Sequence, residues 1–238
     1  MDNATYAALT RQTGLAREMR VIAHNIANAE TTGFRREGVV FSEFIRALDG
    51  PEESLSMALG NTRQIIQSQG ALIQTNGTFD LAIEGEGFFL IETPRGERLT
   101  RAGVFTPNAA GEVVNMDGHR LLDAGGAPIL VPPDARGISV ARDGTLSADG
   151  QPVAEIGLHR PIDALDLQRE AGGLFRVDGG FEPVEAPVIV QGFVEGSNVE
   201  PLSEIARMIA VQRAYEQGQR LLEREDERQR NVIQTLGR

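Results

Sequence analysis

Residues 205–236, IARMIAVQRAYEQGQRLLEREDERQRNVIQTL, place Ile205, Met208, Gln212, Tyr215, Gln219, Leu222, Asp226, Gln229, Ile233 and Leu236 at alternating steps of three and four. On a helix that spacing keeps one stripe turned toward a partner, as the a and d positions of a coiled coil do. A helix starting near residue 200 runs for roughly 54 Å at 1.5 Å per residue, too long for a local prop. Gln212, Gln219, Asp226 and Gln229 make the stripe partly polar, which a two-stranded coil tolerates only at a cost in stability. The pattern predicts a seam that is weak against one helix and satisfied among several. Ser197 and Glu200 have the spacing of a capping box, with Pro201 at the edge of what a first turn accepts.

The other end of the chain has the same rhythm. In LAREMRVIAHNIANAETTGF, residues 15–34, the stripe is Leu15, Met19, Ile22, Ile26 and Ala29, widened by Ala16, Ala23 and Ala27. An ordinary amphipathic helix packed on its own domain has this periodicity too. Gly33 reads as the left-handed residue that stops the helix, with Phe34 folding back on Ala29. Isolated helical propensity is marginal, so two weakly seamed helices about 150 residues apart are expected to order on assembly and to exchange their amides fast in dilute monomer.

Between the ends the chain changes character. Of the 11 Pro only Pro201 lies in residues 1–50 or 201–238, and of the 27 Gly only Gly14, Gly33, Gly38, Gly50, Gly218 and Gly237 do. Phe79, Leu81 and Ile83 alternate with Asp80, Ala82 and Glu84, and Phe88 to Glu92 continues as a more buried strand. Asp117-Gly118, Asp143-Gly144, Asp149-Gly150 and Asp178-Gly179 are tight-turn signals. The expected fold is α+β: an antiparallel, barrel- or sandwich-like central domain flanked by long N- and C-terminal helices. The expected organisation is a helical polymerisation segment at 1–48, a connector at 49–77, a β-rich outer domain at 78–195 and a second helical segment at 196–238. Within this scheme Phe41 to Leu48 has helical spacing and Asp49 to Gly60 reads as a mobile loop.

Charge narrows the function. Net charge is −11 with no Lys, and the acids concentrate in the middle of the chain. Nucleic-acid affinity rests on basic residues that displace counterions, so nucleic acid is not an expected partner. No stretch approaches the length of about 18 apolar residues that a span requires, and the first residues lack the basic and apolar regions of a Sec-type signal peptide. Cysteine is absent, which excludes disulfides and thiolate metal sites without fixing a compartment. Glu84 and Glu86 share a strand face, yet acids flank glycine turns throughout this region, and solvated side chains explain them without glycoside hydrolysis. His24, His119 and His159 are scattered without metal-ligand spacing. Neither an enzyme nor a cofactor is expected.

Four stretches carry a resemblance: NIANAETTGFRR at 25–36, QGALIQTNGTFDLAIEGEGFF at 69–89, RLTRAGVFTPNAAGEVVNMDGHRLL at 98–122 and EGSNVEPLSEIARMIAVQRAYE at 195–216. Together, and in this order, they resemble the bacterial flagellar rod and hook family. The resemblance implies a structural subunit of the periplasmic axial shaft, passed out by the flagellar type III export apparatus without a cleaved signal. Its implied partners are other rod proteins and copies of itself, joined through the terminal helices. The family's N-terminal signature falls on Asn25, Ala27, Asn28, Thr31, Gly33 and Phe34. Asn25 and Asn28 lie three apart on one helical face, where amides can meet a neighbouring chain or the carbonyls at the helix end. Asn28 and Thr31 equally suit a helix stop, and Asn198 equally suits a helix cap. The expected subunit interface comprises Asn25, Asn28, Thr31, Gly33, Phe34 and Asn198 with Leu15, Met19, Ile22, Ile26, Ile205, Met208, Gln212, Tyr215, Gln219, Leu222, Ile233 and Leu236. The competing class is an exported wall-active or adhesive β-protein with helical arms.

Overall fold

A computed structural model describes the backbone of residues 2–47 and 54–236 and the side chains of residues 8–40, 64–232 and 234–235. The chain divides into two compact units. The first gathers residues 1–27, 37–66 and 200–238; the second gathers residues 28–36 and 67–199.

The helical unit opens with α1, Asp2–Ala27, followed by β1, Glu37–Ala47, and β2, Ser54–Ile65. The two strands form an antiparallel hairpin with a bulge between Val40 and Phe41. Phe41 to Ala47 is therefore strand and not helix, and Ser54 to Gly60 is strand and not loop; residues 48–53 lie outside the described residues. Val39, Val40, Phe41, Phe44 and Ile45 are β-branched or aromatic, and that preference prevails over their incidental helical spacing. Such a ribbon is marginal by itself, and here α1 lies against it.

The second unit is an antiparallel β-body. Its strands begin with β3 at Leu72–Gln74, β4 at Leu81–Ile83, β5 at Phe88–Thr93, β6 at Gly96–Thr100, β7 at Phe105–Pro107 and β8 at Val113–Asn115. They continue with β9 at Arg120–Leu121, β10 at Ile138–Val140, β11 at Thr145–Ala148, β12 at Gln151–Glu155, β13 at Leu158–Pro161 and β14 at Leu167–Arg169. The last are β15 at Leu174–Val177, β16 at Phe181–Pro183, β17 at Ile189–Gln191 and β18 at Phe193–Glu195. The main sheet runs β14-β15-β6-β5-β9-β8-β7, with β13 joined to β5 and β16 to β13. The strands β10, β11 and β12 form a second sheet.

Asp-Gly turns sit where the sequence puts them. Asp117-Gly118 links β8 to β9, Asp143-Gly144 links β10 to β11, and Asp149-Gly150 links β11 to β12 with φ of 51° and 78°. Two positive φ angles in succession give a turn whose twist matches the strands it joins. The strands enclose an apolar core built on Leu81, Ile83, Phe89, Ile91, Leu121 and Ile156, all at most 1% exposed.

His159 on β13 is buried, with its ring edge-on to Phe181 at 5.3 Å between centroids. Burial holds its pKa below the usual 6.5, opposed by the nearby charge of Glu97. The unfolded chain therefore takes up this proton first, so the body is expected to hold constant stability above 6.5 and to lose it as pH falls through that value. Urea unfolding between pH 8 and pH 5 checks this, and His159→Gln should flatten the slope.

After residue 199 the chain returns to the helical unit as α2, Pro201–Leu236. Glu200 rather than Ser197 marks the start, since the Glu204 amide donates to the Glu200 carbonyl at 3.1 Å. Pro201 is thus the first helical residue, where its missing N–H leaves no bond unmade. Ser197 instead accepts the Val199 amide at 3.2 Å. Among the described residues no helix is long and apolar enough to cross a membrane.

Candidate assembly surfaces

Within the helical unit, α1 and α2 run antiparallel against each other. Leu15, Ile22 and Val211 form the buried centre, with Met19, Ile26, Met208, Ala214 and Tyr215 packed around them. The two ends therefore cover part of their apolar surface within a single chain, which corrects the expectation that only another subunit could do so. The polar contacts fix the register. Arg207 pairs with buried Glu18 at 2.8 Å, and Gln12 donates to the Tyr215 carbonyl at 2.8 Å. Gly218 gives way to Gln12: a Cβ there would stand 2.1 Å from the Gln12 Nε2.

The observed stripe of α2 is rotated from the expected one. Glu204, Met208, Val211, Tyr215, Gly218, Leu222 and Glu225 are buried or half-buried, whereas Ile205, Gln212, Gln219 and Asp226 are exposed. Both rows share Met208, Tyr215 and Leu222. The polar residues that made the expected seam look weak are simply not on it. The Ile233 and Leu236 side chains lie outside the described residues.

Asn25 explains how a carboxylate enters the seam. It is 1% exposed, its Nδ2 donates to the Glu37 carbonyl at 2.9 Å and to Glu204 Oε2 at 3.0 Å, and its Oδ1 accepts the Glu37 amide at 3.0 Å. One amide thereby ties α1, the start of β1 and the first turn of α2 together. Both of its N–H groups are used within the chain, so Asn25 secures the helical unit from inside.

The opposite face of α2 is uncovered. Leu202, Ile205 and Ile209 follow three-four spacing and are 81%, 45% and 46% exposed. They share one side of the helix, turned away from the row that meets α1. Covering each is worth about 1 to 3 kcal/mol.

In the β-body, the remaining signature residues converge on a buried ion network. Arg35 and Arg101, 1% and 3% exposed, flank Glu195, which is fully buried. Arg35 Nη1 lies 2.7 Å from Glu195 Oε1 and Arg101 Nη1 lies 3.1 Å from Oε2. Glu195 also accepts the Gly70 amide at its side chain (2.8 Å) and the Gly33 amide at its carbonyl (2.7 Å). Arg101 Nη2 donates to the Gly85 carbonyl at 2.6 Å, and Arg35 donates to the Ser68 carbonyl. Burial pushes the Arg101 pKa down to about 10, helped by Arg35 and opposed by Glu195, which leaves the guanidinium charged at neutral pH.

Gly33 is left-handed, as expected, with φ of 69°. It does not cap α1, which ends at Ala27; it belongs to a separate turn in which the Phe34 amide reaches the Thr31 carbonyl. Phe34 packs under the Arg169 guanidinium at 4.2 Å. Arg169 also covers Phe175, which meets Phe88 edge-on, and Phe88 lies under Arg101. Rings and guanidinium groups thus run in contact from Phe34 to the ion network, each contact adding about 0.5–2 kcal/mol. Thr31 donates to Asn28 Oδ1 at 3.2 Å. Asn198 accepts the Arg36 amide at 2.6 Å and donates to the Ser68 carbonyl at 2.8 Å, so it fastens chain segments and does not cap α2.

These placements divide the expected interface residues. Leu15, Met19, Ile22, Ile26, Met208, Tyr215 and Asn25 make contacts inside the helical unit, and Asn28, Thr31, Gly33, Phe34 and Asn198 make contacts inside the body. Ile205, Gln212 and Gln219 face outward.

Residues 6–35 match the model of the flagella basal body rod protein, residues 82–148 that of the flagellar hook protein FlgE/F/G D1 domain, and residues 190–235 that of the flagellar basal body rod FlgEFG protein C-terminal segment. FlgF of Caulobacter vibrioides is 38% identical over 245 residues, covering 100% of this chain and 99% of its own. The chain belongs to the flagellar basal-body rod family. Within that family it is similar to FlgF of Mesorhizobium japonicum, at 36% identity over 100% of this chain and 99% of the relative. FlgG of Bacillus subtilis is 30% identical over 95% of this chain and 96% of the relative. The family signatures fall on both structures just described, the helix pair and the buried ion network. Among the described residues no group of three or more His, Asp or Glu is placed to hold a metal.

Sequence reasoning missed Glu195, Arg35, Arg101 and Gln12. Each is polar or charged and lies in a stretch that reads as surface. A faint signal existed in Glu195, which follows the apolar pair Phe193-Val194 at a strand end.

Proposed function

We propose that the chain is a proximal-rod subunit, FlgF-like, that joins copies of itself and other rod proteins through the outer face of α2. The observation that carries this is the exposed Leu202, Ile205 and Ile209 row on a helix whose other side already lies on α1. A helix is stable in water when one face is covered; a second apolar face has a use only when something covers it too. Ile205, Gln212 and Gln219 are the interface residues this reading favours, and the flagellar type III apparatus is the export route it entails. The shaft is then a periplasmic tube whose wall contains the paired helices.

Replacing Ile205 and Ile209 together by Arg tests it in cells lacking the native protein. The purified variant should keep its helical signal and urea midpoint, because both positions are exposed. In cells it should be absent from isolated basal bodies and swarming should be lost. Full motility would overturn the reading. Similarity to FlgG over nearly the whole chain supports a second reading, a distal-rod subunit, which immunogold position along the rod distinguishes.

A further inference from the structure

We infer that the Arg35–Glu195–Arg101 network is a closing latch, the last part of the β-body to form, which keeps that body open until its final strand is present. Two observations carry this independently. The first is electrostatic. Arg35 and Arg101 are both buried, and Glu195 is the carboxylate paired with both. Until it arrives, closing the body strands two desolvated cations, which is costlier than leaving them in water. Arg35 Nε and Nη2 and Arg101 Nε make no hydrogen bond among the described residues, so the Ser68 and Gly85 carbonyls and the Phe88 ring offset that burial only in part.

The second observation is topological. β17 pairs with β4 and β18 pairs with β3, so the last two strands of the body complete its first two. These pairings close loops of more than a hundred residues, whereas β5 and β6 pair across the short turn between Thr93 and Gly96. Long closures cost more chain entropy and come late in folding. The latch joins segments 33–35, which follow α1, 68–70, which follow β2, and 195–198, which precede α2. Ribosomes deliver residue 195 after every earlier strand of the body, and Glu204, which receives Asn25, follows it.

The latch therefore couples delivery of the body's last strand to its folding. It stands on the geometry alone and goes beyond the rod reading; a chain exported as proposed above would benefit by staying threadable while it is made.

Pulse-labelled hydrogen exchange during refolding of the full chain tests the latch directly. Amides of the β5–β6 hairpin should gain protection first, and those of Gly33 and Gly70, both bonded to Glu195, last. Protection of Gly33 and Gly70 together with the hairpin, or before it, overturns the inference. Glu195→Gln provides a kinetic arm: unfolding should accelerate more than about tenfold while refolding changes by less than about twofold, as for a contact absent from the transition state. Refolding slowed in proportion to the lost stability overturns it equally. Should that variant not fold, the labelling of the native chain decides alone, and neither readout depends on flagellar assembly.

Discussion

Glu195→Ala is expected to lower the stability of the β-body by about 3–5 kcal/mol, a large share of the roughly 5–15 kcal/mol that holds a domain together. The native network is two guanidiniums and one carboxylate out of water. Deleting the carboxylate leaves both cations buried and opposed, with the Gly70 amide unpaired as well. Exposed pairs behave differently. Arg160 and Glu182, both about half exposed and 2.7 Å apart, should be worth less than about 1 kcal/mol when either is truncated. The decisive comparison is a triple variant, Arg35→Met, Arg101→Met and Glu195→Leu. With all three charges gone no buried ion is left unpaired, the Gly70 amide and the Gly85 carbonyl lose a partner, and much of the loss should return. Urea midpoints measured by circular dichroism separate the cases; a single-variant loss under about 1 kcal/mol would contradict the buried-charge account.

Gly33→Ala is expected to cost about 3 kcal/mol or more, by a backbone mechanism. A Cβ there would stand 2.3 Å from the Ala102 nitrogen and 2.4 Å from the Arg101 carbonyl carbon, both main-chain atoms that cannot swing aside. The left-handed φ adds about 1–2 kcal/mol of its own. Gly118 isolates that second part, since it has φ of 80° and a Cβ there meets nothing within 4 Å. Gly118→Ala should therefore lose only the conformational share. If both alanine variants lose the same amount, the close approach at Gly33 contributes nothing and the turn alone is what requires glycine.

Much of this architecture was legible in the sequence. The long C-terminal helix, the helix before Ala27 and the Asp-Gly turns follow from periodicity and turn chemistry, which are local. The phase of the α2 stripe was not. Rows through Glu204, Val211 and Gly218 or through Ile205, Gln212 and Gln219 share Met208, Tyr215 and Leu222, and hydrophobicity scarcely separates them. What decides is α1, through Asn25 receiving Glu204 and Gln12 filling the space over Gly218. The β1–β2 hairpin was misread although Leu55, Met57 and Leu59 alternate with Ser54, Ser56 and Ala58. Phe41, Phe44, Ile45 and Leu48 offered a helical spacing, and a β-ribbon is fixed by a partner strand that no local window contains. The ion network was invisible for the same reason: Arg35 and Glu195 are 160 positions apart, and a charge destined for burial looks like any other until the fold encloses it.

Because the Gly33 amide meets the Glu195 carbonyl, the β-body begins and ends at one spot. Everything from residue 67 to residue 194 is in effect a cassette, entered and left through a single door. Its loops can lengthen, shorten or acquire whole modules over evolutionary time without changing the span between the two helices outside. Lineages can therefore diversify the β-body while inheriting its point of closure intact.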